Sequence, residues 1–89
     1  MILSATQRRL LLACGHYWLA HRYSPSLREL IFLAGISSTS VVVYNLRRLE
    51  RMGLISYAGE IARSICLTDA GWAESGLEPP LAVGLASQP

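Results

Sequence analysis

Hydrophobic residues recur three or four positions apart through the first half of the chain, which is the spacing of one face of an α-helix. Ser4 and Gln7 precede the first such stripe and match an S-x-x-Q capping box. The pattern predicts a first helix over roughly residues 5–21. Its apolar stripe consists of Leu10, Leu11, Cys14, Trp18 and His21.

A second helix is bounded by strong local signals. Pro25 disfavours helical geometry at Ser24, and Ser26 can cap a new helix of about nine residues. Gly35 ends it. We expect the inward residues to be Leu27, Leu30, Ile31 and Ala34.

A third helix follows over roughly residues 39–52, capped by Ser37 or Ser38 and stopped by Gly53. Val42, Leu46 and Leu49 form its predicted core stripe. On a helical wheel Ser40, Tyr44, Arg47 and Arg51 lie near the opposite face, with Val41, Val43 and Arg48 at its margins.

The last third of the chain changes character. Residues 54–57 and 63–67 are short β-like runs, and the loop 58–62 between them has hairpin length. Residues 68–71 mark a turn or helical cap, and Trp72 is a predicted apolar lid. From Gly76 the chain is rich in Pro and small residues, so we expect one domain over 1–75 and a flexible tail over 76–89.

These elements predict a mainly α fold with a small antiparallel β-hairpin, a winged helix-turn-helix of three helices plus a wing. In such folds the third helix enters the major groove of DNA, and the hairpin lies along the backbone. The eight basic residues are all Arg and lie within residues 1–67, which carry a net charge of +5, whereas residues 68–89 carry −3. This distribution favours a polyanionic partner.

Other chemistry has little support in the sequence. His16 and His21 lack the i, i+4 spacing of a helical metal pair. Cys14 and Cys66 lack the spacing of a zinc site, and we expect both to be reduced thiols in the core of a cytosolic protein. We therefore expect no enzymatic activity, cofactor, metal or small-molecule ligand. The apolar run 10–13 after Arg8 and Arg9 is too short for a signal peptide or a membrane span, so the predicted location is the cytoplasm.

Several blocks of the sequence resemble the N-terminal DNA-binding domain of the LexA repressor family, from about Leu3 to Leu67. They are the capped start of the first helix, the block 23–30, the stretch 35–55 and the run 62–67 with its Arg63. Residues 67–71 also resemble MarR-type and PadR-type winged helices. The chain has no Lys and too few further residues for the LexA self-cleavage domain, so autoproteolysis is not implied. Val43 and Tyr44 replace acidic or polar residues of relatives, so the same operator is not implied either.

The resemblance and the helical wheel together indicate sequence-specific binding to double-stranded DNA by a bacterial or phage transcriptional regulator, with a repressor expected. The predicted base-reading residues are Ser40, Val41, Val43, Tyr44, Asn45 and Arg48. The predicted phosphate contacts are Arg28, Ser38, Thr39, Arg47, Arg51 and Arg63. A solvated Arg-rich helix face, an ion pair of Arg28 with Glu29 or another acid, and an Arg63–Glu60 ion pair are the structural alternatives.

The chain is 52% hydrophobic, with a mean hydropathy of +0.34, which indicates more apolar surface than a small monomer needs. An alternative function is therefore a winged-helix protein-interaction module. We also expect a homodimer that buries Leu12, Leu19, Phe32 and Leu33, which lie outside the predicted core stripes. Alternatively, the tail covers this surface through Leu77, Leu81 or Val83.

Overall fold

The computed structural model of the protein describes residues 2–79. These residues form four helices and one two-stranded antiparallel sheet. In chain order the elements are α1 (Ala5–His21), α2 (Leu27–Ala34), α3 (Thr39–Arg51), β1 (Ile55–Ser56), β2 (Cys66–Leu67) and α4 (Asp69–Ser75). The mainly α fold with a small hairpin is confirmed. The predicted cap at 68–71 is the start of α4, whose helical nature was not predicted, and Thr68 is its N-cap.

Side-chain caps define where the first three helices begin. In α1 the Ser4 hydroxyl accepts from the Gln7 backbone N–H at 3.1 Å, and the Gln7 side chain accepts from the Ser4 backbone N–H at 3.0 Å. Ser26 and Glu29 make the same reciprocal pair at the start of α2. Ser38, rather than Ser37, caps α3 by accepting from a backbone N–H one turn on. Each cap satisfies backbone groups that have no partner inside the helix.

The core lies where α1, α2, α3 and the start of the hairpin meet. Its fully buried leucines and valine are Leu54, at the start of the hairpin, and those of the predicted stripes: Leu10, Leu11, Leu30, Val42, Leu46 and Leu49. The stripe of α1 is wrong at its end, since Trp18 is half-buried and His21 is exposed. Burial of these aliphatic side chains is the main favourable term that holds the three helices together.

The pair α2 and α3 is bent by 100° across a short break. Gly35 begins this break with a φ of +68°, a left-handed conformation that a side chain disfavours. No single helix within residues 2–79 is long and apolar enough to cross a membrane, and α2 with α3 reaches that length and composition only as this bent pair.

The hairpin is shorter than the sequence predicts. Only two residue pairs form its ladder, Ile55 with Leu67 and Ser56 with Cys66. We refer to residues 55–67 as the wing. Arg63 was expected to begin the second strand, but this is wrong: its φ is +57° and it lies in a turn before β2. The Ser64 hydroxyl closes this turn by bonding both backbone groups of Ala58.

The fourth helix closes the domain against α1 and the hairpin. Gly71 lies so near the Leu54 carbonyl that a Cβ atom there would overlap it. Leu77 packs on Gly15 of α1, beside Trp72, so the packed part of the chain extends at least to Leu77. Residues 80–89, which form most of the predicted tail, lie outside the described residues.

Candidate nucleic-acid interface

The outward side of α3 presents polar, aromatic and basic side chains, while Val42, Leu46 and Leu49 are completely buried on its inward side. Tyr44 is 60% exposed and Val41 42% exposed. The other predicted DNA-contacting residues on this exposed side are Ser40, Arg47, Arg48 and Arg51, and Val43 is half-buried. Six of the predicted residues therefore share one solvent-facing helix surface.

Three exposed arginines of the predicted set have no acidic partner within residues 2–79. They are Arg28 of α2 and Arg48 and Arg51 of α3, none of which takes part in an ion pair there. The Arg48 guanidinium lies 5.8 Å from the centre of the Tyr44 ring. An exposed, unpaired guanidinium keeps its charge and its fork of donors available to a phosphate or a base edge.

The start of α3 adds backbone donors to this surface. Ser38 and Thr39 are both exposed. The Ser38 hydroxyl already accepts from the Val41 backbone N–H at 3.3 Å, while the first N–H groups of a helix point outward from its end. The positive end of the helix dipole favours an anion at this position.

Asn45 is the predicted base-reading residue that the structure places elsewhere. Its residue exposure is only 9%, and its amide faces α1. The Asn45 Oδ1 accepts from Gln7 Nε2 at 3.2 Å, and its Nδ2 donates to the Val41 carbonyl at 2.9 Å. Asn45 is thus a buried polar link between α3 and α1, because it lies one turn from Val42 and Leu49 on the inward side, and this placement argues against base reading.

Arg47 was predicted to contact phosphate, but the structure gives it partners within the chain. Its guanidinium pairs with Glu50 at 3.0 Å and donates to the Tyr57 carbonyl at 3.3 Å. It also lies 4.4 Å from the centre of the Tyr57 ring and against Gly59. Arg47 thus connects α3 to the wing.

Arg63 makes more hydrogen bonds within the protein than Arg47 does. Its Nη1 donates to Glu29 Oε1 at 2.9 Å, to the Ser24 carbonyl at 3.0 Å and to the Tyr17 hydroxyl at 3.3 Å. Its Nη2 donates to Glu29 Oε2 at 3.2 Å. We refer to these four residues as the Arg63 network. The predicted alternative partners, Glu60 for Arg63 and Glu29 for Arg28, are both replaced by the Arg63–Glu29 pair.

The network shifts the ionisation of its members. The pKa of Glu29 falls from 4.5 to about 2, chiefly because the Ser26 backbone N–H donates to its carboxylate and secondly because Arg63 does. The pKa of Arg63 is raised, mainly by its bond to Glu29. Both groups are therefore charged at neutral pH, and the charge of Arg63 is compensated within the protein.

Cys14 lies in the core, and His21 lies beside an aromatic ring. Burial raises the pKa of the Cys14 thiol to about 12, so this buried side chain is not a thiolate at neutral pH. His21 lies against the Tyr17 ring, with centroids 4.1 Å apart. In the part of the chain that the structure describes, no three His, Cys, Asp or Glu side chains are grouped closely enough to hold a metal ion.

Sequence reasoning missed the partners that hold the wing. Glu29 and Ser24 lie 34 and 39 positions before Arg63, and Tyr57 lies ten positions after Arg47. No periodicity links residues across such separations. The only local hint was Glu29 itself, which completes a capping box after Ser26 and is thereby fixed at the start of α2.

A second exposed surface lies on the flank formed by α1 and α2. Phe32 is 83% and Leu33 50% exposed, and Leu33 borders a groove against α1. The groove is lined by Ala13, His16, Tyr17, Ala20, His21 and Leu33. We refer to Phe32, Leu33 and this groove as the α1–α2 flank. The four residues predicted to form one apolar surface therefore lie on two. Leu12 and Leu19 are half-buried and lie on the face of α1 that contains Gly15, against which Leu77 packs.

Comparison with a solved structure agrees with this architecture. A structure described only as a hypothetical protein superposes with a TM-score of 0.71, over 99% of this chain and 31% of that chain. Its sequence identity is 21%, so the likeness concerns the fold alone.

Sequence comparisons relate the chain to repressors. The LexA repressor of Roseiflexus sp. (strain RS-1) is 42% identical over 92 residues, which cover 98% of this chain and 42% of the relative. The LexA repressor of Herpetosiphon aurantiacus is 38% identical over 86 residues, covering 97% and 37%. The chain therefore spans less than half the length of these curated relatives. The family model of the LexA DNA binding domain matches residues 1–64, which contain α1, α2, α3 and most of the wing. The chain belongs to the LexA DNA-binding domain family.

Proposed function

We propose that this protein binds double-stranded DNA through α3 and acts in the cytoplasm as a transcriptional regulator, with repression as its mode of action. The observation that carries the proposal is the exposed surface of α3, on which Tyr44, Arg48 and Arg51 stand together. Membership of the family and the repressor names of the relatives support it. We assign this activity to residues 1–75, with residues 76–89 as an extension.

The exposed residues divide between two roles. We assign base reading in the major groove to Ser40, Val41, Val43, Tyr44 and Arg48, because they lie on the outward side of α3 or at its margins. We assign phosphate contacts to Arg28, Arg51, Ser38 and Thr39. Arg47 and Arg63 are left out of the phosphate set, because both are held within the protein.

A binding titration tests the proposal. The protein should bind random duplex DNA at about 50 mM salt, with an affinity that falls steeply as salt rises. Tyr44→Ala should change the ranking of operator variants by about 1–3 kcal/mol for each base that the tyrosine touches. Ile61→Ala, which removes a similarly exposed apolar side chain from the wing, is the matched control and should leave the ranking unchanged. An absence of binding at low salt would reject the function.

The α1–α2 flank favours a second candidate, a protein-interaction module, and we propose a second copy of this chain as its occupant. Phe32 projects beside a groove that it does not line, so two copies related by a two-fold axis could each insert Phe32 into the groove of the other. Two buried phenylalanines contribute only roughly 300–500 Å². A stable interface buries at least roughly 1,200 Å², so we expect a weak dimer.

Sedimentation equilibrium across a range of concentrations tests the dimer. Phe32→Ser should be monomeric where the unchanged chain associates, and Ile61→Ser should associate normally, because it removes a comparable exposed apolar side chain elsewhere. If Phe32→Ser associates as strongly as the unchanged chain, the interface is wrong. If residues 80–89 cover the flank instead, a chain ending at Pro79 will associate more strongly than the full chain.

A further inference from the structure

We propose that Arg63 is a positioning residue: through Glu29, Tyr17 and Ser24 it fixes the wing relative to α3 and so raises DNA affinity without contacting DNA. This inference rests on the proposed DNA-binding function. It concerns a residue that, as an exposed arginine of the wing, would otherwise be assigned to the phosphate backbone. The assignment depends on where its guanidinium is held and on what else holds the wing.

The wing has little support of its own. Its ladder contains only two residue pairs, and an isolated two-stranded hairpin is marginally stable in water. The Ser64 hydroxyl closes the turn locally by bonding Ala58, but this bond does not connect the wing to the helices. Contacts with other elements must therefore set the position of the wing.

Two arginines supply those contacts from different sides. Arg47 reaches from α3 to the Tyr57 carbonyl and the Tyr57 ring. Arg63 reaches from the wing to the opposite neighbours, α2 through Glu29 and the connection between α1 and α2 through Ser24. Ile55 and Ile65 are buried in the core and Ser24 Oγ lies 3.2 Å from Cys66 Sγ, but without one of the two arginines the turn of the wing loses its charged connection on that side.

The guanidinium of Arg63 is committed to the protein. Both terminal nitrogens donate to the two oxygens of Glu29, which is the bidentate arrangement that favours a carboxylate partner. The Tyr23 ring lies 4.9 Å from its central carbon and covers one side of the plane. A phosphate at Nη1 would have to displace the bonds to Glu29, Ser24 and Tyr17, and would leave the Glu29 carboxylate without this partner.

The backbone of Arg63 is consistent with a fixed role. Its φ of +57° is in the left-handed region, where an arginine has no intrinsic preference to be. The side-chain contacts offset this unfavourable conformation. Since residues 55–67 contain no other basic residue, a wing held in this way would approach DNA through backbone N–H groups rather than through charge.

The sign of one substitution separates positioning from direct contact. Glu29→Gln removes the charge that holds Arg63 but keeps an oxygen able to serve the capping box. If Arg63 positions the wing, affinity for duplex DNA should fall by about fivefold, which is close to the most that a surface ion pair contributes. If Arg63 contacts phosphate, the same change should raise affinity, because it frees Arg63 and removes an acid.

Substitutions of Arg63 complete the test. Arg63→Met should lower affinity by a similar factor and leave the slope of log K against log salt unchanged, and Glu29→Gln added to it should have no further effect. Arg63→Lys should resemble Arg63→Met, because a lysine cannot form the bidentate fork. A lysine that restores binding, or a methionine that flattens the slope by about 0.9, overturns the proposal in favour of phosphate contact.

Controls separate positioning from stability and from a failure of the function itself. Glu74→Gln breaks the Arg8–Glu74 pair on the other side of α1 and should lower Tm slightly with no change in affinity. If Glu29→Gln likewise changes Tm alone, Arg63 is merely structural and the proposal is wrong. If the unchanged protein does not bind DNA, the proposed function is wrong. If the unchanged protein binds DNA and Glu29→Gln binds equally well, only the positioning role of Arg63 is wrong.

Discussion

The side chain of Asn45 is predicted from the sequence to face outward from α3, but in the structure its amide faces α1. It neighbours the exposed Tyr44, yet it exchanges bonds with Gln7 of α1 and the Val41 carbonyl. A wheel built from aliphatic residues alone treats an asparagine between them as polar and solvated. Its partner Gln7 lies 38 residues away and already serves as part of a helix cap, so no local pattern could indicate the pair.

Replacement of this amide should cost stability rather than base recognition. In Asn45→Ala the side chain of Gln7 loses its buried acceptor, and we expect a loss of about 1–3 kcal/mol in the free energy of unfolding. Ser40→Ala, on the exposed side of the same helix, should stay within about 0.5 kcal/mol. Urea unfolding of both variants checks this. Normal stability with altered operator ranking in Asn45→Ala would instead return the residue to base reading.

The ionisation of Glu29 predicts a stability change in acid. Its pKa is lowered in the folded protein from 4.5 to about 2, so its contribution is fully present above about pH 4.5 and is lost as pH falls toward 2. The difference in Tm between the unchanged protein and Glu29→Gln should therefore narrow over this range. Thermal melts at several pH values measure it. A difference that is constant from pH 5 to about pH 2 would contradict the assigned shift.

At the scale of elements, the sequence-based predictions were correct where the interactions that bound an element are local in sequence. Ser4, Ser26 and Gly35 act within one helical turn, so the bounds of α1 and α2 could be predicted. α4 was not predicted as a helix because it is short and contains Gly71, a poor helix former. The wing strands were predicted too long because side-chain contacts with the helices hold the wing in place of a longer ladder.

Gly71 and Gly15 make a matched pair for testing this packing. In both helices Gly→Ala ordinarily stabilises by nearly 1 kcal/mol. A Cβ at Gly71 meets the rigid backbone of Leu54, whereas a Cβ at Gly15 meets the mobile end of the Leu77 side chain, at 2.6 Å. We expect Gly71→Ala to destabilise by about 1–3 kcal/mol and Gly15→Ala to be nearly neutral or stabilising. Equal Tm values for the two variants would show that α4 does not pack closely on Leu54.

At the scale of the whole molecule, the arginines fall into two groups, those that form an ion pair within the protein and those that do not. Arg8, Arg47 and Arg63 pair with acids, while the other five have no acidic partner in the part of the chain described: Arg9, Arg22, Arg28, Arg48 and Arg51. The charge available to DNA is therefore smaller than a count of arginines indicates. Composition alone could not reveal this, because each ion pair but Arg47–Glu50 joins residues distant in sequence.

The salt dependence of DNA binding should reflect this smaller number. The two unpaired arginines assigned to phosphate, Arg28 and Arg51, predict a slope of log K against log salt of about −1.8 per protomer, at about −0.9 for each phosphate neutralised. Arg51→Gln should flatten the slope by about 0.9. Arg22→Gln, which removes the same charge from the end of α1, where Arg22 lies over Trp18, should leave it unchanged. A slope near −5 would show that arginines other than Arg28 and Arg51 also reach phosphate, and would contradict the assignment.

The two polar connections that help to orient α3 and the wing differ in their sensitivity to ions. α3 is joined to α1 by the uncharged bond between Asn45 and Gln7, which dissolved salt does not screen. The wing is joined to α2 by Arg63 and Glu29, whose side chains are 42% and 37% exposed, and salt weakens such a pair. Rising ionic strength should therefore loosen the wing while α3 keeps its orientation. Amide exchange at Ala58 should accelerate with salt and exchange at Leu46 should not, so the position of the wing would depend on ionic strength where the position of α3 does not.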